Sequence, residues 1–172
     1  MKVVLLTGPE SAGKSSLCAA LAQHFRAPVV GEYVREYIVQ QQRNTCYADI
    51  TPIARGQWRR EQAARAQAPP LLLLDTNLLS NRLWSQTLFG RSPAWIDAAL
   101  ARTQYDAVFL LAPEGLPWQA DGQRCQPALA QRQQFGQQLE QALQQLQQPY
   151  TPVTGSWAQR CARITAAVQQ IL

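Results

Sequence analysis

The sequence predicts an α/β fold: a parallel five-stranded sheet with helices on both faces, in one domain that spans residues 1–172. Two observations lead to this prediction. Short apolar runs alternate five times with longer segments of helical periodicity, and the connections between them are short. The first run is followed directly by a glycine-rich loop and a helix-like segment. Runs that are apolar at every position are typical of parallel strands, because these strands are buried on both faces.

The glycine-rich loop at 8–15 has the sequence GPESAGKS, which fits the phosphate-binding pattern GxxxxGK[ST] between a strand at 3–7 and a helix at 14–25. Glycines let successive backbone N–H groups converge on a phosphate, and the helix adds the positive end of its dipole. We expect the loop to bind ATP, with Lys14 on the outer phosphates and Ser15 on Mg²⁺. The expected nucleotide contacts are Gly8, Glu10, Ser11, Ala12, Gly13, Lys14, Ser15 and Ser16.

The other elements follow from the same two periodicities. Thr51 followed by Pro52 is typical of a helix start, because proline already has the φ angle of a first helical residue. Further helices are predicted from 32 onward and at 51–68, 77–89, 92–102, 128–148 and 157–172, and further strands at 28–31, 71–75, 106–111 and 149–153.

Two carboxylates are expected where the strands end, which is the edge at which parallel sheets bind ligands. Asp75 follows the run LLLL, a pattern typical of the aspartate that holds Mg²⁺ in phosphate-loop proteins. Glu32 follows the second strand. Phosphoryl transfer uses one carboxylate on the metal and one that orients or deprotonates the attacking hydroxyl. We place Asp75 on the metal and Glu32 beside the acceptor, although the residues alone also allow the reverse.

A polar segment at about 114–127 is the expected lid. It contains Gly122, which supplies a flexible joint, and Arg124, which carries positive charge. When the lid closes, Arg124 would neutralise the charge that develops on the phosphoryl group during its transfer. The closed lid would also exclude water, which otherwise reacts with that group. The expected catalytic residues are therefore Lys14, Glu32, Asp75 and Arg124.

The composition argues against several classes of protein. No apolar run approaches the ~18 residues of a membrane span, and the N-terminus lacks a signal-peptide pattern, so we expect a cytoplasmic protein without membrane association. Four cysteines without CxxC spacing and a single histidine predict neither a zinc site nor disulfides. The net charge of +5 suits a small polyanion such as ATP, and the arginines within 55–65 spread around a helix, so nucleic acid is not an expected partner. A homo-oligomer is compatible with the sequence.

A small-molecule kinase fits the motifs better than other phosphate-loop proteins do. A GTPase would carry DxxG and NKxD motifs, and neither occurs in the sequence. A motor ATPase normally needs a longer chain with partner-facing elements. An acceptor pocket beyond the second strand, a carboxylate beside it and an arginine-bearing lid all have candidates here. The expected fold is therefore P-loop kinase-like.

Four segments, in the right order, look like the ribosylnicotinamide kinase domain of the bacterial NadR proteins, within the P-loop NTPase superfamily. They are GPESAGKSSL at 8–17, EYVREY at 32–37, LDT at 74–76 and WQADGQR at 118–124. The second and fourth segments are more discriminating than the phosphate loop. NadR proteins also carry an adenylyltransferase domain with an HxGH motif, which a sequence with one histidine lacks, so we expect any later step to NAD to occur elsewhere.

The resemblance implies ATP-dependent phosphorylation of the 5′-hydroxyl of nicotinamide riboside, which gives nicotinamide mononucleotide in NAD salvage. It also implies that Trp118 covers the cationic nicotinamide ring. In P-loop kinases the turn before the last helix often contacts adenine, which here indicates Gly155 and Trp157. The residues that the resemblance indicates for the riboside are Glu32, Tyr33, Arg35, Thr76, Trp118 and Asp121.

Two other functions stay open on the sequence alone. The net charge and the arginines within 55–65 allow a kinase for another nucleoside or for the 5′ end of a nucleic acid. A phosphate loop indicates that a nucleotide binds but does not by itself indicate phosphoryl transfer. The other open function is therefore a non-catalytic module that senses ATP.

Overall fold

The computed structural model describes residues 1–172. Five strands form one sheet in the order β2, β3, β1, β4, β5, and every neighbouring pair is parallel. The predicted parallel five-stranded sheet is therefore confirmed. The strands are β1 Lys2–Thr7, β2 Val29–Val30, β3 Leu71–Asp75, β4 Ala107–Leu111 and β5 Thr151–Val153.

Seven helices cover the two faces of this sheet. They are α1 Lys14–Phe25, α2 Tyr33–Gln41, α3 Tyr47–Ala66, α4 Leu78–Phe89, α5 Trp95–Leu100, α6 Leu129–Gln145 and α7 Trp157–Ile171. Successive residues of a strand point to opposite faces. Leu5 of β1 accordingly joins the core cluster formed with α4 and α6, whereas Leu6 joins the cluster formed with α1 and α7. None of these helices is both long and apolar enough to pass through a lipid bilayer.

The helix predicted to begin at Thr51 begins instead at Tyr47, so the predicted start was wrong. Cys46 is the N-cap, and its backbone N–H donates to the Asp49 carboxylate at 2.8 Å. Arg43 donates to both oxygens of the same carboxylate, at 2.7 and 2.8 Å. These bonds fix the helix start upstream, and Pro52 is accommodated inside the helix, where its ring removes one backbone donor.

The predicted start of α5 also shifts. Ser92 and Pro93 do not cap this helix, which has Ala94 at its N-cap and runs over six residues only. The other predicted elements are present, with bounds that differ by a few residues at their ends.

Candidate nucleotide and acceptor site

The phosphate loop joins β1 to α1 in a conformation that requires glycine at two positions. Gly8 has φ +153°, and a Cβ there would lie 2.6 Å from the carbonyl oxygen of Leu111. Gly13 has φ +84°. The side chain of Lys14 folds across the loop, where its Nζ donates to the carbonyl oxygens of Gly8 at 3.0 Å and Pro9 at 2.8 Å. The ammonium group therefore lies over the loop that is expected to hold phosphate.

Asp75 lies beside this loop because β3 pairs with β1, which aligns Asp75 with Leu6. The residue is 4% exposed, and its Oδ1 atom has no hydrogen-bond partner. Burial raises the pKa of Asp75, as does the nearby Glu32 carboxylate, while Lys14 and the Ser15 hydroxyl lower it. A buried carboxylate oxygen without a partner, next to a serine hydroxyl, is an oxygen donor set of the kind that Mg²⁺ prefers. Asp75 and Ser15 therefore fit the predicted metal site.

A cavity of about 500 Å³ opens between the phosphate loop, helices α2, α3 and α4, and the lid segment. A volume of this size is typical of a site for a small ligand. The structure brings most of the predicted site residues to its wall. They are Gly8, Glu10, Ser11, Ala12, Gly13, Lys14, Ser15, Ser16, Glu32, Arg35 and Arg124.

Part of the cavity wall, called the chamber below, comes from residues of α2, α3 and α4 that the sequence analysis missed. Its polar side is Ser80 and Asn81 of α4, and the Oδ1 atom of Asn81 is buried without a hydrogen-bond partner. Its apolar side comes from α2, α3 and α4, namely Val34, Ile38, Ile50, Ile53, Trp84, Leu88 and Phe89. The sequence signal that could have indicated these residues is the adjacent polar pair Ser80 and Asn81 in the otherwise apolar start of α4.

Several predicted residues lie near the cavity without lining it. Tyr33 packs between α2 and α3, where its ring contacts Gly56 and the Arg60 guanidinium lies 4.5 Å from the ring centroid. Thr76 is buried, and its hydroxyl bonds with Ser80 at 2.5 Å. Trp118 lies against the phosphate loop, as described next. The roles expected for Tyr33, Thr76 and Trp118 stay predictions.

The lid is attached to the phosphate loop through Glu10. The Glu10 carboxylate accepts hydrogen bonds from the backbone N–H groups of Cys125 and Gln126, each at 2.9 Å. It also accepts from the indole N–H of Trp118 at 3.4 Å. Glu10 therefore holds the lid in place, a function that the sequence pattern did not indicate.

The centre of the lid is attached to the first turn of α2. Arg35 of α2 donates to the carboxylate of Asp121 at 2.7 Å and to that of Glu32 at 2.8 Å. Although burial acts in the opposite direction, hydrogen bonds from Arg35 and from the backbone N–H groups of Gln123 and Arg124 lower the pKa of Asp121 to about 2. Three predicted riboside residues, Glu32, Arg35 and Asp121, are thus joined in one charged chain.

The guanidinium of Arg124 is bonded within the lid itself. Its Nη1 atom donates to the carbonyl oxygen of Gln119 at 2.6 Å, and its Nε atom lies 3.2 Å from the Asp121 carboxylate. Arg124 also lines the cavity. The predicted lid arginine therefore faces the site, with part of its donor capacity already used.

The turn between β5 and α7 is fixed by Arg160, a buried arginine that no sequence motif indicated. Its Nε donates to the carbonyl of Gly155 at 2.8 Å. Its Nη1 donates to the carbonyls of Ala112 at 2.8 Å and Ala12 at 3.2 Å, and its Nη2 donates to that of Glu114. One side chain thus joins the phosphate loop, the start of the lid and the turn expected to contact adenine.

Trp157, which follows that turn, lies beside the phosphate loop. Its ring is 3.6 Å from the position that a Cβ on Gly13 would take, and the residue is 38% exposed. An exposed aromatic face next to a phosphate loop is a surface on which a base could stack. The placement is compatible with the adenine contact predicted for Gly155 and Trp157.

A parallel sheet with a phosphate loop after β1, an aspartate at the end of β3 and a lid defines a P-loop, kinase-like nucleotide-binding domain. A family model described as AAA domain matches residues 3–160, and the chain belongs to this family. The chain is also homologous to NadR. The trifunctional NAD biosynthesis/regulator protein NadR of Escherichia coli K12 is 28% identical over 149 residues, or 84% of this chain and 36% of that protein. The chain thus spans about a third of the length of the curated relatives it matches.

Two solved structures support the fold. A NadR protein in complex with NR superposes with a TM-score of 0.80 at 20% identity, over 98% of this chain and 49% of that chain. Deoxyadenosine kinase from M. mycoides superposes with a TM-score of 0.69 at 12% identity, over 98% of this chain and 99% of that chain. At such identities the likeness concerns the fold, and it confirms the predicted P-loop kinase-like architecture.

Proposed function

We propose that this protein is a kinase that transfers the terminal phosphoryl group of ATP to the 5′-hydroxyl of nicotinamide riboside. The observation that carries the proposal is the lining of one cavity, which combines the phosphate loop, the Glu32 carboxylate and a group of apolar side chains from α2, α3 and α4. The homology to NadR supports the choice of acceptor. In the reaction a bond forms between the acceptor oxygen and the γ-phosphorus, and the bond from that phosphorus to the β–γ bridging oxygen breaks.

Lys14 and Asp75 hold the nucleotide end in this mechanism. Lys14 binds the outer phosphate oxygens and offsets the negative charge that develops there. Ser15 and Asp75 are the residues that would hold Mg²⁺, which when bound neutralises charge on the β- and γ-phosphates. The buried, unpartnered oxygen of Asp75 suits this role better than contact with the acceptor.

Glu32 is the proposed base. It lines the cavity, whereas Asp75 is not among the lining residues. Its carboxylate accepts a hydrogen bond from Arg35 Nε, which fixes its orientation. Glu32 would accept the proton of the 5′-hydroxyl as the oxygen attacks phosphorus.

Trp84 is the proposed partner of the nicotinamide ring. It lines the acceptor chamber and is held in place by Phe135, with the two ring centroids 4.6 Å apart. A cationic ring over an aromatic face gains about 0.5–2 kcal/mol. The indole of Trp118 lies on the phosphate-loop side instead, with its N–H directed to Glu10.

Replacing Trp84 with alanine should raise KM for nicotinamide riboside by about tenfold and leave KM for ATP nearly unchanged. Trp84→Phe should recover most of the loss, because phenylalanine keeps both the aromatic face and the contact with Phe135. Steady-state kinetics with each substrate varied in turn measure both constants. Equal increases in the two KM values would show that the change disturbs the whole site rather than the ring.

Replacing Asp121 with asparagine should lower kcat/KM for the acceptor by about 1.5-fold to fivefold, because the partly exposed bond to Arg35 that holds the lid is weakened. The pKa of about 2 keeps Asp121 ionised at any ordinary assay pH. The folded-state pKa is depressed, so this contact stabilises the fold above the carboxyl's unfolded pKa of ~3.9 and is lost as pH falls toward 2. Asp106→Asn, just before β4 and at the ends of the strands away from the phosphate loop, is the matched control. A comparable kinetic loss in that variant would contradict the role of the lid.

The deciding experiment is an ADP-release assay with Mg-ATP that compares nicotinamide riboside, deoxyadenosine, other nucleosides and no acceptor. Release that depends on nicotinamide riboside above every other acceptor supports the proposal. Preference for deoxyadenosine would favour a second candidate, a deoxynucleoside kinase, which the similarity to deoxyadenosine kinase over 99% of that chain motivates. Nucleotide binding without release in any well would favour the sensing module, and competition by an oligonucleotide at low salt would favour a nucleic-acid acceptor.

A further inference from the structure

Arg160 is a fully buried cation, and no protein carboxylate neutralises its charge. It lies in the first turn of α7 and is 0% exposed. All four of its hydrogen bonds go to backbone carbonyl oxygens, and it takes part in no ion pair. The carboxylate of Glu114, whose backbone carbonyl Arg160 binds, accepts from Gln133 at 2.6 Å instead. Buried charges are normally paired, so this positive charge is free to act on an anion that binds nearby.

One of the four bonds reaches the phosphate loop from behind. Arg160 Nη1 donates to the carbonyl oxygen of Ala12 at 3.2 Å. The peptide between Ala12 and Gly13 is trans, so its carbonyl and its N–H point in opposite directions. The N–H of Gly13 makes no hydrogen bond within the protein, and Gly13 lines the cavity. A buried cation thus lies on one side of this peptide, and an unused donor of the phosphate loop points to the other side.

This arrangement strengthens phosphate binding in two ways. A carbonyl that accepts from a cation is polarised, and hydrogen bonds in a chain strengthen one another, so the Gly13 N–H becomes a better donor. The charge of Arg160 also attracts phosphate directly, and burial limits the screening of this attraction by water. Both effects act on the phosphates of a nucleotide and neither requires contact with them.

The other three bonds keep the guanidinium of Arg160 behind the loop. They go to the carbonyl oxygens of Gly155 and Ala112, each at 2.8 Å, and of Glu114. A guanidinium has five N–H donors, and a group bonded in this way has little freedom to turn toward a nucleotide. Arg160 therefore differs from Lys14, whose ammonium group lies over the loop.

We propose that Arg160 is a positioning residue of the phosphate site, whose buried charge raises the affinity for nucleotide phosphates through the peptide between Ala12 and Gly13. The inference rests on the proposed function for its nucleotide but not for its acceptor. A bound nucleotide supplies the negative charge that the protein itself does not place beside Arg160.

The test measures the affinities of Mg-ATP and Mg-tripolyphosphate by competition with a fluorescent ATP analogue. Arg160→Gln should weaken both by about tenfold, the size expected for one unit charge at several ångströms in a protein. Tripolyphosphate has no base, so an equal loss for the two ligands assigns the effect to the phosphates rather than to the turn expected to contact adenine. Arg160→Lys keeps the charge and should keep both affinities within about threefold.

Thermal unfolding without ligand separates the charge of Arg160 from its hydrogen bonds. Both substitutions should lower Tm, because each loses bonds to buried carbonyls. A purely structural role predicts that affinity falls together with Tm, so equal weakening by Arg160→Lys and Arg160→Gln would overturn the inference. A loss for ATP alone, or for neither ligand, would also overturn it. Arg163→Gln removes the same charge from an exposed position on α7 and should change neither affinity.

No acceptor enters these measurements, so a negative nicotinamide riboside assay would overturn the proposed function and leave this inference standing. If neither ligand binds the unmodified protein, both are overturned. If Arg160→Gln does not fold, Arg160→Lys is measured between about pH 7 and pH 10, where a buried ammonium group loses its proton and a guanidinium does not. The ATP affinity of that variant should then fall with pH relative to the unmodified protein, and parallel profiles would overturn the inference.

Discussion

Replacing Lys14 with alanine is expected to lower kcat by at least 10²- to 10³-fold, the usual effect of removing one group that stabilises charge in a transition state. The ammonium group lies over the phosphate loop, bonded to the carbonyl oxygens of Gly8 and Pro9. No other lysine can replace it, because the chain has only one more, at position 2. Single-turnover and steady-state assays with Mg-ATP measure the change.

Lys2→Ala is the matched control for this prediction. Lys2, the first residue of β1, forms an exposed ion pair with Asp106 at 3.2 Å, at the ends of the strands away from the phosphate loop. An exposed ion pair of this kind contributes little to the stability of the folded protein. The activity and the Tm of Lys2→Ala should therefore both stay near those of the unmodified protein. Near-normal turnover by Lys14→Ala would refute the phosphoryl-transfer mechanism, whichever acceptor the protein uses.

Replacing Asp75 with asparagine is expected to lower kcat by a similar 10²- to 10³-fold and, at the same time, to raise Tm. Burial and the Glu32 carboxylate raise the pKa of Asp75, so the ionised form is disfavoured in the folded protein. The contribution of such a group to stability is fully present below its unfolded pKa and is lost as pH rises through the folded pKa. At neutral pH, asparagine removes the free-energy cost of keeping an ionised carboxylate buried, and Tm should therefore rise. The same substitution removes the proposed metal ligand, and kcat should therefore fall.

Thermal unfolding between pH 4 and pH 8 tests the second half of this prediction. The gain in Tm of Asp75→Asn over the unmodified protein should grow with pH and vanish at the acid end. Asp97→Asn, an exposed residue paired with Arg82, provides the control and should show neither the loss of activity nor the gain in Tm. A lower Tm for Asp75→Asn at neutral pH would mean that the carboxylate is a structural acceptor.

The features that the sequence predicted correctly are those encoded within one contiguous segment. The phosphate loop needs glycine at 8 and 13 for reasons local to the loop, and Asp75 follows directly from its strand. Glu32 and Arg35 lie three residues apart, so their ion pair is also of short range, although the sequence analysis did not predict it. In each of these cases, short-range geometry sets the position of the side chain.

The features that the sequence did not predict depend on contacts between distant segments. Arg160 bonds to carbonyls 46, 48 and 148 residues away, and no local pattern marks such a residue. Tyr33 follows Glu32 in a discriminating motif, but its ring packs against α3, because Gly56 has no side chain to occupy that space. The sequence did not predict this contact. The start of α3 was misplaced because Asp49 and Arg43 cap it through side chains, and this outweighed the local signal of Thr51 and Pro52.

The attachment of the lid at both ends has a consequence for the entropy of closure. Arg160 holds the start of the lid through Glu114, and Glu10 holds its end through Cys125. The segment that must close over a substrate is therefore a short loop whose two ends are fixed, rather than a chain with a free end. Closing a short loop restricts few additional conformations, because its ends are already together. Little of the energy of substrate binding is then spent on ordering the lid, and more remains for the transition state.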